Sequence, residues 1–223
     1  MKAHPDFYAK DSLGKYIAPY DWTDVRKLNY ANKELRDSMI DAMKFWVTET
    51  GIDGFRCDVA DDVPMDFWKE CITELRKSKH VFMLAEGKKL ELYDAGFDET
   101  YAWDIMVAMT ELYAGKKTVV QFDSLINADN LNYPKNAYRM FFTTNHDENS
   151  WNKSDYGTFP GIVHAPFAVF SQTMGGTVPL VYSGQEEPLL RPLKFFEKDP
   201  IVFGKFERAK FYKSLHDLRK KNP

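Results

Sequence analysis

The chain has 223 residues, enough for one sizeable hydrophobic core, and a formal net charge of −3. That balance gives no basic footprint for nucleic acid, and no apolar run reaches the roughly 18 residues of a membrane helix. The two cysteines, Cys57 and Cys71, form neither a disulfide framework nor a metal-ligand spacing and read as small core residues.

Residues 1–31 read as a long ordered loop, with Asp6-Phe7-Tyr8, Pro19-Tyr20-Asp21-Trp22 and Leu28-Asn29-Tyr30 supplying turn formers and aromatics. Met1 to Asp6 lacks the apolar core of a signal peptide. A loop this long is expected to be functional or to belong to a larger fold. Asn32 is an N-cap for a helix with Leu35, Met39, Ala42, Met43 and Trp46 at helical spacing, stopped by Gly51. The stretch 54–57 is a strand ending in Asp58. Asp61, Asp62 and Pro64 then open a helix whose apolar stripe is Phe67, Cys71 and Leu75.

A continuous apolar run at 81–85, as in a parallel strand covered on both faces, ends in Glu86. A poorly marked strand falls around 97–101. Helices are expected over about 103–113 and 119–128. A strand at 138–143 leads into Asn145-His146-Asp147. A helix at 166–174, a strand at 178–182 followed by Gly184-Gln185-Glu186, and a helix over about 203–219 complete the pattern.

Strand followed by helix, repeated, predicts a parallel α/β fold. Three strands carry an acid at the C-terminal end: Asp58, Glu86 and Asp147. In (β/α)8 barrels that rim is where catalytic groups sit. Arg56 and Asp58 share one face of their strand. A guanidinium beside a carboxylate favours its charged form, as a carboxylate nucleophile requires. A structural ion pair explains Arg56 and Asp58 alone, but not the acid repeated at three strand ends.

These residues resemble the α-amylase family of glycoside hydrolases. Gly54-Phe55-Arg56-Cys57-Asp58-Val59-Ala60 is similar to the family's fourth-strand motif, Ala85-Glu86-Gly87 to the fifth and Phe142-Thr143-Thr144-Asn145-His146-Asp147-Glu148 to the seventh. Leu28-Asn29-Tyr30-Ala31-Asn32 is similar to the segment before the third helix, with Lys27 where an acid is usual. The resemblance implies a (β/α)8 TIM-type barrel and retaining hydrolysis of α-1,4-glucans such as starch or maltodextrins. Asp58 would be the nucleophile, Glu86 the general acid/base and Asp147 the transition-state stabiliser. Arg56, Asn145 and His146 would contact substrate. Such chemistry needs two carboxyl groups of different pKa. No cofactor and no metal are expected.

The family's Asp-x-x-x-Asn-His motif, at the end of its third strand, is absent. The expectation is therefore an incomplete barrel, strands four to eight over residues 1–223, without the family's C-terminal β-sandwich. An N-terminal half or a second chain would cover its open edge. The isolated chain is expected to be inactive or nearly so. A transglycosylase of the same family and a non-catalytic glucan-binding remnant are the alternatives, ahead of a metal-dependent hydrolase built on Asp58, Asp61 and Asp62. Those two last acids read better as helix N-terminal residues. Trp22, Trp103 and Trp151 are candidates for sugar stacking. Trp151 is preferred because it follows the Asn-His-Asp segment, and Trp103 is at least equally suited to the core. His80, His164 and His216 read as turn, surface or core residues. Asn152-Lys153-Ser154 matches a glycosylation sequon.

Overall fold

The computed structural model describes residues 3–152 and 158–222. The sequon runs outside the described residues from Lys153 onward. The chain divides into two compact units, Met1–Asp98 and Glu99–Pro223.

In the first unit the opening loop is ordered by antiparallel bridges, Tyr8 with Leu28 and Lys10 with Tyr16. Helix α1 (Lys33–Thr50) starts where the Asn32 side chain accepts the Leu35 N–H and stops at Gly51, whose φ of 70° is the left-handed conformation that glycine adopts without cost. Its buried line is Leu35, Ile40 and Val47 rather than the expected row ending in Trp46. At 100° per residue, Val47 turns inward beside Ile40 and Met43. Trp46 is left 52% exposed against the Phe45 ring.

Strand β1 (Gly54–Cys57) pairs in parallel with β2 (Phe82–Ala85), Gly54 opposite Phe82 and Cys57 opposite Ala85. A Cβ on Gly54 would lie 2.0 Å from the Phe82 carbonyl oxygen, so the approach admits only glycine. Helix α2 (Met65–Arg76) buries Phe67, Cys71 and Leu75 completely, as its spacing predicts, and adds Trp68 and Ile72. Val81, Met83 and Ala85 are fully buried, while Phe82 and Leu84 on the other face are half-buried. Burial pushes both cysteine thiols up to about 12, so they pack as inert core residues. The short helix α3 (Glu91–Ala95) has no clear signal in the sequence.

The second unit holds β3 (Glu99–Tyr101), the weakly marked strand, paired in parallel with β4 (Tyr138–Met140). Between them run α4 (Trp103–Tyr113) and α5 (Val119–Asn132), the latter opened by a Thr118/Gln121 capping box. Trp103 packs on Tyr101 and Phe142, a core role. Helix α6 (His146–Trp151) follows β4, and α7 (His164–Thr173) follows α6. His164 is buried, with its Nε2 2.7 Å from the Tyr212 hydroxyl. His80 and His216 are exposed.

Two expectations need correction. Residues 178–182 are not a regular strand. They run beside β4, with the Val178 N–H donating to Arg139 and the Leu180 N–H to Phe141. Pro179 between them has no N–H to offer, so the ladder is interrupted. The last helix, α8 (Ala209–Lys221), begins six residues later than expected. The stretch before it is held instead by Glu187, whose carboxylate accepts the N–H groups of Gly204, Lys205 and Phe206, with Phe206 at φ 51°.

Candidate active site

In the first unit the ends of β1 and β2 are laced together. The Glu86 N–H donates to the Cys57 carbonyl and the Ala60 N–H to the Glu86 carbonyl, each at 2.9 Å. The Val59 N–H reaches the Glu86 carboxylate at 2.8 Å. Val59 does so from φ 44°, ψ 43°. For a β-branched residue that conformation costs on the order of 1–3 kcal/mol and marks a position held by its surroundings.

Arg56 joins both acids. Its Nη1 donates to Asp58 and its Nη2 lies 3.1 Å from Glu86. The two carboxylates differ in setting: the Asp58 side chain is 74% exposed, that of Glu86 15%. Burial pushes the Glu86 pKa up, helped by the charge of Asp58, against the opposing pull of the Val59 N–H and Arg56. One strand end thus presents an open carboxylate, and its neighbour an acid biased toward keeping its proton.

Asp61 and Asp62 are not at the N-terminus of α2. They form a 3-10 turn ahead of it. Asp61 accepts the Lys88 and Lys89 N–H groups, and Asp62 accepts the Tyr20 hydroxyl. Among the described residues no three His, Cys, Asp or Glu side chains form a metal-holding cluster. Trp22 is 42% exposed and packs against the ring of Tyr20.

In the second unit Asn145, His146 and Asp147 occupy the turn from β4 into α6. Asn145 is the N-cap, and its Oδ1 accepts the Glu148 N–H at 2.8 Å. That bond leaves the buried Asn145 Nδ2 without a partner among the described residues. His146 Nε2 lies 3.4 Å from Asp147 Oδ2, both half-exposed. Trp151, at the end of α6, is 59% exposed.

Three residues here were not singled out from the sequence. Tyr182 lies near enough to Asp147 for the carboxylate, together with burial, to raise its phenol pKa. Gln185 accepts the Tyr182 N–H and donates to the Thr143 hydroxyl, both at 2.8 Å, fixing the segment beside β4. Glu148 is buried with its pKa pushed up by burial, and it accepts from the Asn152 amide. Their position after a strand was the available signal, and nothing in their spacing distinguished them.

Parallel strands with carboxylates at their C-terminal ends define the enzyme rim of a β/α barrel. Residues 8–192 match the family model of the α-amylase catalytic domain, and the chain belongs to that family. Alpha-amylase 2 of Dictyoglomus thermophilum is 27% identical over 218 residues, covering 88% of this chain and 38% of that protein. The solved maltogenic α-amylase of Thermotoga neapolitana is 31% identical with a TM-score of 0.86, covering 99% of this chain and 51% of that one. An α-amylase structure from Lactobacillus plantarum is 28% identical with a TM-score of 0.81, covering 90% and 50%. The chain spans about half the length of these solved relatives and 38% of the curated one. The fold is the α/β TIM-type barrel of α-amylases, present in part.

Proposed function

We propose that the chain supplies strands four to eight of an α-amylase-type barrel, and with them the carboxylates of a retaining glycosidase acting on α-1,4-glucans. The observation that carries this is the pair of unlike acids around Arg56. Exposed Asp58 is placed to attack the anomeric carbon, while Glu86 keeps the proton that the leaving glycosidic oxygen needs. A covalent glycosyl-enzyme would form on Asp58. Glu86, now ionised, would take a proton from water as that water attacks the same carbon and frees Asp58. Asp147, Asn145 and His146 would hold sugar hydroxyls in the strained geometry. A sugar hydroxyl in place of water gives transglycosylation by the same first step. An N-terminal half or a second chain would complete the barrel.

The test is hydrolysis of a nitrophenyl maltooligosaccharide, paired with calorimetric binding of maltohexaose. The expected result is binding with faint or no turnover, because the Asp-x-x-x-Asn-His segment is absent, and loss of any turnover in Asp58→Asn. Turnover unchanged in Asp58→Asn would remove Asp58 from the mechanism. A folded chain that neither binds nor cleaves would overturn the glucan reading.

A further inference from the structure

Trp151, Phe195 and Phe196 form a cluster of rings in the second unit, with centroids 5.2 Å apart for Trp151–Phe195, 6.4 Å for Trp151–Phe196 and 4.9 Å for Phe195–Phe196. They remain 59%, 45% and 79% exposed. Three large rings gathered in water, rather than scattered singly, mark a binding surface.

Two observations tie this cluster to the candidate site. Trp151 lies four residues after Asp147 on α6, so the two share a helix face one turn apart. The loop carrying the phenylalanines is fastened to the same helix. The Asn149 side chain accepts the Leu193 N–H at 2.8 Å and donates to the Arg191 carbonyl at 3.2 Å. Arg191 then grips Asp199 at two points, 2.7 and 2.8 Å, and Asp199 accepts the Lys194 N–H at 3.0 Å. The rings are held on a pinned loop, so little conformational entropy is lost when a ligand settles on them.

We propose that Trp151, Phe195 and Phe196 are an outer sugar-stacking subsite that continues the substrate path from Asp147. The proposal rests on the glucan reading above. Glucose presents C–H-rich faces, which suit the electron-rich faces of aromatic rings and bury apolar surface on them. The ring planes are tilted by 44°, 66° and 73° to one another. A flat ribbon of β-1,4-linked sugars calls for coplanar platforms. A curling α-1,4 chain turns its successive faces and meets tilted ones. Lys194 and Glu197, exposed and paired at 2.7 Å on the same loop, supply polar groups for hydroxyls beside the rings.

Calorimetry with maltohexaose, maltose and cellohexaose tests this on the full chain. Trp151→Ala and the double variant Phe195→Ala/Phe196→Ala are each expected to weaken maltohexaose about tenfold. Maltose, short enough to bind without the outer site, should change little. Trp151→Phe keeps a ring and should restore most of the affinity, and cellohexaose should not bind the cluster. Maltohexaose affinity unchanged in both ring-deleted variants would overturn the subsite while leaving the glucan reading intact. No binding by the parent chain would overturn both. Unchanged affinity with self-association lost in the variants would assign the rings to a contact between copies and overturn the proposal.

Discussion

Arg56 on β1 and Arg139 on β4 are both strand arginines set between two carboxylates, and their surroundings are opposite. Arg56 stands at the C-terminal end of its strand, between an open Asp58 and a largely covered Glu86. Arg139 is 3% exposed. Its Nη2 lies 2.7 Å from Asp104 and 3.3 Å from Asp129, its Nη1 donates to Thr100, and its guanidinium sits 3.9 Å from the centre of the Tyr133 ring. Burial lifts Asp129 to about 6, with Arg139 pulling down and Asp104 pushing up. The same three groups make a reactive-looking site where substrate can reach them, and a structural knot where it cannot. Composition does not separate the two; exposure does.

The largest effect should come from removing the buried arginine. Arg139→Ala leaves Asp104 and Asp129 without their cation and should cost about 3–5 kcal/mol in urea unfolding. Arg56→Ala, at the open end, should cost about 1 kcal/mol or less. Equal losses would erase the contrast.

Asp129→Asn comes next. A carboxyl whose folded pKa lies above its unfolded value contributes stability that is complete below the unfolded pKa and is lost as pH rises through the folded one. Asp129 should therefore make unfolding easier as pH climbs from about 4 to about 6, by at most about 3 kcal/mol. The variant should flatten that stretch of the stability curve, which thermal melts across pH would show. A curve unchanged by the substitution would mean that Asp129 titrates normally.

A third experiment sharpens the open site. Carbon-detected NMR titration should place Glu86 above an ordinary glutamate, because burial dominates. In Arg56→Gln it should rise further, since the guanidinium pulls it down. A fall in that variant would reverse the assigned roles of burial and charge. The smallest effect concerns Gly87, where a Cβ would meet Asp61 Oδ1 at 2.7 Å. Gly87→Ala should displace the carboxylate that holds the Lys88 and Lys89 N–H groups and destabilise by about 1 kcal/mol, read as a small fall in Tm.

Much of the fold is legible because local rules act alone there. Asn32 and Gly51 bound α1 by capping chemistry, and α2 buries the Phe67–Cys71–Leu75 row that its period dictates. The strand ends at Asp58 and Glu86 follow from apolar runs that stop in an acid. The sequence reading fails where distant groups override local preference. Pro179 breaks a ladder that the apolar run suggests, and the Glu187 carboxylate holds 204–206 out of a helix that composition would allow.

By itself, then, the sequence determined the order of strands and helices and the acids at the strand ends, because period, caps and composition are local. Only the tertiary structure decided which arginine is open and which is buried. It also set a strained Val59 against Glu86 and brought a distant loop's phenylalanines beside Trp151. Burial and contact between separated segments are properties of the packed chain, and no window of sequence contains them.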